Sequence, residues 1–155
     1  MTFTDDELAY LDSQRLGRLA TQKPDGTLQN SPVGFRYDAD SDTIVIIGYQ
    51  LDQSRKFRNV AHNSRVAFVV DDLASVKPWR VRCLEIRGRG EAVPGDGTSP
   101  PIIRIHPERI ISFGISEPHT TAHKLTVNAR DVNTRSDRGL CRSTPCRAEA
   151  SRAGS

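Results

Sequence analysis

One short stretch of the chain combines the residue types that bind phosphate. An apolar run breaks at Gly48, and a hydroxyl and three cations follow within ten residues: Ser54, Arg55, Lys56 and Arg58. Their spacing predicts the first turn of a helix, where backbone N–H groups lack intrahelical partners and carry partial positive charge. A hydroxyl and fixed cations beside such N–H groups can hold a phosphate. Most phosphate ligands are nucleotides or phosphorylated cofactors, so we expect Ser54, Arg55 and Lys56 to bind a cofactor.

Two of these cations have alternative interpretations. Lys56 can be an ordinary solvated charge on a helix face, the usual situation of a surface lysine. Arg58 falls on another side of the turn, where it can cap Asp52 or contact solvent. The clustering of Lys56 with Ser54 and Arg55 favours the anion site for that residue.

The sequence lacks the motifs of an enzyme that works with its own side chains. There is no Ser-His-Asp order, nucleophile elbow, P-loop or G-x-G-x-x-G after a strand. Neither the cysteines nor the histidines have metal-site spacing, so no metal is expected. If the protein is an enzyme, a bound cofactor must supply the chemistry while the protein positions it.

The charge distribution argues against nucleic acid as a partner. The formal net charge is +3, and residues 133–155 account for all of it with five Arg against Asp137 and Glu149. The remaining residues are neutral and contain no basic stripe interleaved with aromatics. Residues 133–155 contain one large aliphatic residue, Leu140, and no aromatic, so we predict a disordered tail after a folded domain of residues 1–132.

The cysteine content and the N-terminus predict a soluble, cytoplasmic protein. Cys141 and Cys146 lie in the predicted tail, which leaves Cys83 as a small, buried or half-buried residue of the domain. The chain begins MTFTDDELAYL, with acidic residues where a signal peptide has basic ones. No run approaches about 18 consecutive apolar residues, so no membrane span is expected.

Hydrophobic periodicity predicts a mainly β domain with two short helices. Thr4 and Glu7 fit a capping box for a helix that ends near Gln14. Strand patterns follow at about residues 17–22, 27–37, 43–48, 65–70, 81–93 and 102–115, with a short helix after Ser54. With no βαβ alternation, the economical fold is an antiparallel barrel, because closure removes unpaired edges.

Several strand residues have a structural and a functional interpretation. Pro32 marks a strand edge or a bulge, and Asp71 and Asp72 are expected to end their strand. Arg87 and Arg89 alternate with glycines, which indicates either close approach of a ligand or backbone, or a solvated ladder paired with Glu85 and Glu91.

Three polar or aromatic residues are further candidates for ligand contact. Asn30 and Ser31 can hydrogen-bond the polar edge of a planar ligand, although ordinary outward-facing strand positions look the same. Trp79, the single tryptophan, can cover a planar ring, pack at a subunit interface or close a loop over the core.

Several segments carry a resemblance to a known family. They are GRLAT, SPVGFRYD, TIVIIGY, SRKFRNVAHNSRVAFVVDD, LEIRGRGEAV and IIRIHPERIISFGI. Over roughly residues 3–116 the chain resembles the pyridoxamine 5′-phosphate oxidase-like flavoproteins, in particular the actinobacterial branch that uses the deazaflavin F420. The resemblance implies an antiparallel split β-barrel (the FMN-binding split barrel) that forms a homodimer, with cofactor sites between the subunits. It also implies that Ser54, Arg55 and Lys56 grip the cofactor phosphate, and that Ser31, Pro32 and Val33 lie against the tricyclic ring.

The resemblance implies an F420-dependent oxidoreductase that passes hydride to a small organic acceptor. An FMN-binding oxidoreductase and a non-catalytic deazaflavin or flavin carrier are the alternatives. True pyridoxamine phosphate oxidases hold their substrate phosphate with a C-terminal Arg-x-His segment. Here Arg104-Ile105-His106 precedes Pro107 within a strand, so oxidation of pyridoxamine phosphate is not expected.

Overall fold

The computed structural model describes residues 2–116 and 124–133. Their two α-helices, α1 (Asp5–Ser13) and α2 (Arg55–His62), are not long and apolar enough to cross a membrane. A 3-10 turn at Leu51–Gln53 precedes α2. Apart from Asn133, the predicted tail lies outside the described residues, as do its two cysteines. The described strands are β1 (Leu16–Gln22), β2 (Leu28–Asp38), β3 (Thr43–Ile47), β4 (Arg65–Ser75), β5 (Arg80–Val93), β6 (Ile102–Phe113) and β7 (Asn128–Asp131).

Strands β1 to β6 form a closed antiparallel barrel, as predicted. Their order is β3-β2-β1-β4-β5-β6, and pairing of β3 with β6 closes the barrel. Alternate side chains point inward because successive residues of a strand face opposite sides. The core contains Leu19, Val33, Ile44, Ile46, Val66, Phe68, Val70, Leu84, Ile86, Ile103, Ile105 and Ile110.

The predicted capping box at the start of α1 is confirmed. The Thr4 hydroxyl accepts a hydrogen bond from the Glu7 N–H at 3.2 Å, and the Glu7 carboxylate accepts one from the Thr4 N–H at 3.0 Å. These bonds satisfy two donors at the helix start. Tyr10 and Leu11 of α1 are buried, so the helix packs against the barrel.

One strand prediction was wrong, and one strand was not predicted. Asp71 and Asp72 do not end β4, which continues to Ser75 because Asp72 is paired with Arg82 on β5. That guanidinium, the Tyr10 hydroxyl and the Gln14 amide all donate to the Asp72 carboxylate. Strand β7 was not predicted, and it pairs with the second half of β6.

Pro107 and the glycines of β5 mark a bulge between β5 and β6. Gly88 is opposite Pro107, and the register shifts between Arg87 and Gly88. A Cβ atom at Gly88 would lie 2.2 Å from the carbonyl oxygen of His106. The glycine is therefore required by close approach of another backbone, one of the alternatives that the sequence left open.

Among the described strands, β2 has one neighbour along its first half. Residues 28–33 pair with β1, whereas β3 pairs with residues 34–38. Pro32 lies in the half with a free edge and is in register with Arg18, so it marks an edge and not a bulge. Although the barrel is closed, this half of β2 has an edge without a strand partner, next to the segment that joins β3 to α2.

Candidate functional site

The predicted phosphate turn is a capped helix start. Ser54 is the N-cap of α2: its hydroxyl accepts from the Phe57 N–H at 3.3 Å and donates to the Leu51 carbonyl at 2.6 Å. Leu51 is 1% exposed and anchors the preceding 3-10 turn in the core. Helical geometry leaves the N–H groups of Arg55 and Lys56 without intrahelical acceptors. Because the Ser54 hydroxyl hydrogen is bound to Leu51, Ser54 contributes mainly by shaping the turn.

The side chains of Arg55 and Lys56 make no hydrogen bond or ion pair with the described residues. Arg55 is exposed and Lys56 is half-buried. Arg58 is exposed and makes no ion pair with Asp52 or any other described residue. Two unpaired cations beside two orphan N–H groups give this helix start the composition of an anion site.

A buried amide, which sequence reasoning missed, attaches α2 to the barrel. Asn59 is 1% exposed, and its Nδ2 atom donates to Thr21 Oγ1 of β1 and to Gln29 Oε1 of β2, both at 3.1 Å. Asn59 lies three and four residues after Lys56 and Arg55, so it is on their side of the helix. The signal in the sequence is a polar residue next to Val60 on the buried face of α2.

An apolar contact attaches the same helix to β4 and β5. Val60 is 3% exposed and lies over Gly90. A Cβ atom at Gly90 would lie 2.9 Å from Cγ1 of both Val60 and Val66. The glycine therefore makes room for α2, which accounts for the second glycine next to Arg89.

The four candidate residues of β2 are divided between two faces. Ser31 and Val33 are in register with the inward-facing Leu19 and Gly17, whereas Asn30 and Pro32 are exposed on the outer face. Val33 is 4% exposed in the core, so its main chain is the part available to a ligand. The Ser31 hydroxyl is buried and has no hydrogen-bond partner among the residues that the structure describes, which is unusual for a buried polar group.

Asn30 lines a shallow cavity of about 190 Å³ on the outer face of the sheet. The other lining residues come from β1, β4 and β5: Arg18, Ala20, Ala67, Phe68, Val69 and Glu85. This surface is separate from the start of α2, since the sheet lies between Asn30 and the inward-facing residues of β2.

Trp79 lies at the tip of the hairpin between β4 and β5. It is 54% exposed beside Val76, which is 62% exposed, so it does not close a loop over the core. Strand β4 begins at Arg65, directly after α2, and its eleven residues extend about 35 Å at a rise of about 3.3 Å each. The eight residues of α2 span about 12 Å. Within one chain, Trp79 and the start of α2 are therefore far apart.

The side chains of Arg104 and His106, the Arg-x-His triplet, both bond to other residues of the barrel. The Arg104 guanidinium donates to Asp38 Oδ2 at 2.8 Å and to Thr43 Oγ1 at 2.9 Å. This hydrogen bond from Arg104, together with one from Ser41, lowers the pKa of Asp38 to about 2. His106 pairs with Glu91 at 2.9 Å. Both side chains therefore already have polar partners within the barrel.

The arginine ladder of β5 is partly confirmed. Arg87 pairs with Glu85 at 2.6 Å, as one alternative predicted. Glu91 pairs with His106 instead of an arginine, and Arg89 lines a cavity of about 500 Å³. Cys83 is half-buried, as predicted, and burial, with the charges of Asp71 and Glu85, raises the pKa of its thiol to about 11.

Comparison with known proteins agrees with this architecture. The family model described as pyridoxamine 5′-phosphate oxidase matches residues 3–128. The chain is 44% identical over 138 residues to the 5a,11a-dehydrotetracycline/5a,11a-dehydrooxytetracycline reductase of Streptomyces rimosus subsp. rimosus, covering 85% of this chain and 94% of that one.

Solved structures share the fold. An F420 reductase superposes with a TM-score of 0.51 at 27% identity, covering 69% of this chain and 95% of that one. A conserved hypothetical protein from Mycobacterium tuberculosis gives a TM-score of 0.60 at 20% identity, with 76% and 89% coverage. The FAD binding protein from Mycobacterium smegmatis gives 0.53 at 20% identity, with 70% and 92% coverage. The last two similarities concern the fold alone.

Proposed function

Because the chain belongs to the pyridoxamine 5′-phosphate oxidase family, we propose that it is an F420-dependent reductase of a fused-ring organic acceptor. The observation that carries this proposal is the 44% identity to a dehydrotetracycline reductase over 94% of that protein. The structural similarity to an F420 reductase at 27% identity supports the choice of cofactor.

The start of α2 fits the phosphate of such a cofactor. Arg55 and Lys56, whose side chains have no ion-pair partner in the described part of the chain, and the orphan N–H groups of the first turn provide charge and donors in one place. Ser54 holds the turn in shape. The same groups would hold the phosphate of FMN, which remains the alternative cofactor.

The open half of β2 fits the ring. Residues 28–33 have a free main-chain edge, and the unpartnered Ser31 hydroxyl lies in this stretch. We assign Ser31 and the main chain of Pro32 and Val33 to the ring edge. By rotating about its Cα–Cβ bond, the Ser31 hydroxyl can donate to a ring carbonyl.

When bound, reduced F420 supplies a hydride. The task of the protein is then to hold donor and acceptor about 3 to 3.5 Å apart in alignment and to exclude water. No acid or base among the side chains is assigned to the reaction.

The active form in this proposal is a homodimer with the cofactor between subunits. Trp79 is too far from the start of α2 to reach the same ligand within one chain, so it would act from the partner subunit. The outer face around Asn30 is half-apolar, with Ala20, Ala67 and Val69 lining its cavity, and suits burial against a second copy. Asn30 would then contact the partner or the ring of its cofactor.

The acceptor follows from the relative's substrate. That enzyme is named for 5a,11a-dehydrotetracycline, a fused-ring compound with an added double bond. We propose the same class here: a carbon–carbon double bond within a fused ring system, which would take a hydride from reduced F420, oxidising that cofactor, and a proton from solvent.

The proposal is tested by titrating the purified chain with F420 and FMN and by assaying hydride transfer. We expect saturable F420 binding and consumption of reduced F420 with 5a,11a-dehydrotetracycline as acceptor. A yellow protein that binds FMN and not F420 would contradict the cofactor assignment. Tight F420 binding without transfer to any fused-ring acceptor would favour the non-catalytic carrier.

A further inference from the structure

We propose that Asn59 is a positioning residue that sets the distance between the phosphate turn and the ring-binding half of β2. This inference rests on the proposed function, since it assigns a role within that cofactor site. Asn59 touches neither phosphate nor ring in this proposal; it acts through Gln29 and Thr21.

The two parts of the site belong to different elements. The phosphate turn is the start of α2, and the ring edge is the half of β2 that has one strand neighbour. On the edge where β2 has no strand partner, its position depends on side-chain contacts with neighbouring elements. Catalysis by alignment needs a rigid connection between the two parts.

Asn59 provides this connection with both of its amide hydrogens. One is donated to Thr21 and the other to Gln29, and these two residues are cross-strand partners in β1 and β2. Thr21 is 2% exposed and Asn59 1% exposed, so water competes little for the bond between them, whereas Gln29 is half-buried and its bond is partly shielded. Gln29 is two residues from Ser31 on the same face of β2, about 7 Å away along the strand.

The contact between Val60 and Gly90 makes it possible to separate two roles of α2: phosphate binding at its start and the connection to β2 through Asn59. It holds the helix against Val66 of β4 and Gly90 of β5. Loss of the Asn59 amide should therefore leave the helix start in place, while residues 28–33 of β2 keep their pairing with β1 but lose their hydrogen bond to α2. We expect the alignment of the ring to suffer more than the grip on the phosphate.

The chain contains a matched control on the same helix. Asn63 is the C-cap of α2 and also makes two side-chain hydrogen bonds, from Nδ2 to Gln22 Oε1 at 2.7 Å and to Oδ1 from the Arg65 N–H at 3.0 Å. It lies at the opposite end from the phosphate turn and makes no hydrogen bond to the described residues of β2. Asn63→Ala thus removes two bonds without affecting the proposed connection.

The experiment compares Asn59→Ala, Gln29→Leu and Asn63→Ala with the parent. Gln29→Leu keeps Asn59 and its bond to Thr21, so it tests the link to β2 even if Asn59→Ala fails to fold. For both Asn59→Ala and Gln29→Leu, we expect kcat at saturating F420 to fall tenfold or more, while the Kd for F420 rises less than about threefold. Amide hydrogen exchange of residues 28–33 should become faster in these two variants. Asn63→Ala should retain kcat and the exchange rates of residues 28–33.

Three outcomes would overturn the inference. The first is an unchanged kcat in Gln29→Leu. The second is an equal loss of kcat in Asn63→Ala, and the third is a loss of F420 affinity as large as the loss of kcat. If the parent itself binds no F420, the proposed function fails first, and the parent titration identifies that case.

Discussion

Glu7 of α1 and Arg130 of β7 form a bidentate ion pair that holds the two ends of the described chain together. The two guanidinium nitrogens lie 2.8 and 2.6 Å from Oε1 and Oε2 of Glu7. Ser112 donates to Oε1, and Arg130 also donates to the carbonyl of Thr2. The Glu7 side chain is 3% exposed, whereas that of Arg130 is 33% exposed.

Breaking this pair should destabilise the fold. In Arg130→Gln the buried Glu7 carboxylate loses its counter-ion, and we expect the free energy of unfolding to fall by about 2 to 3 kcal/mol, discounted for the exposure of Arg130. The control is Asp131→Asn, next to Arg130 on β7, which removes an exposed pair with Arg109 of β6 and should cost less than about 1 kcal/mol. Urea denaturation measures both, and equal losses would contradict the assignment.

The same pair makes stability depend on pH. Burial alone would raise the pKa of Glu7, but the hydrogen bonds and charge of Arg130, with bonds from Thr4 and Ser112, lower the pKa below its ordinary value of 4.5. Glu7 therefore contributes stability above about pH 4.5, and this contribution is lost as the pH falls through the lower pKa of the folded state. The stability difference between the parent and Glu7→Gln should be greatest above pH 5 and shrink on acidification. A stability difference that stays constant between pH 7 and pH 3 would contradict this role of Glu7.

Lys56 is expected to bind the cofactor phosphate. Lys56→Ala should weaken F420 binding by about 1.5 to 3 kcal/mol, because a charge-assisted hydrogen bond is lost. Arg58→Ala, on the exposed side of the same helix, should change the Kd less than about twofold. Fluorescence titration of F420 measures both affinities, and the assignment would be wrong if Lys56→Ala bound as tightly as the parent.

Gly90 is expected to be intolerant of a side chain. In Gly90→Ala the new methyl group would lie 2.9 Å from Val60 and Val66, so α2 must shift, at a cost of about 1 to 3 kcal/mol. Gly34→Ala is the control, since its Cβ would meet Ile47 at an ordinary 3.5 Å. Thermal unfolding compares the two, and similar melting temperatures would contradict the close packing of α2.

Trp79 is the single tryptophan, so its fluorescence reports on one position. At 54% exposure its emission should resemble that of a solvated indole when the chain is dilute. If Trp79 covers the cofactor of a partner subunit, its emission should be quenched on F420 binding and shift to shorter wavelength on dimerisation. Emission that does not respond to F420 or to protein concentration would remove Trp79 from the site.

Features that depend on neighbouring residues in the chain could be predicted from the sequence. The capping box of Thr4 and Glu7, the helix start at Ser54 and the alternating strands each leave a local signal in residue type and period. The antiparallel barrel followed from these elements because a closed sheet removes unpaired edges. The roles of Ser54, Arg55 and Lys56 in phosphate binding stay predictions until a ligand is measured.

The rest depended on contacts between residues distant in the chain, which leave no such signal. Strand β7 is stabilised through Arg130 and Glu7, 123 residues apart, and four residues are too few for a recognisable period. The position of α2 depends on Asn59 meeting Thr21 and Gln29, and on the small size of Gly90. Local chemistry therefore determined which elements form and where charge accumulates. The tertiary structure decided which faces meet, because packing and buried hydrogen bonds exist only once the barrel has closed.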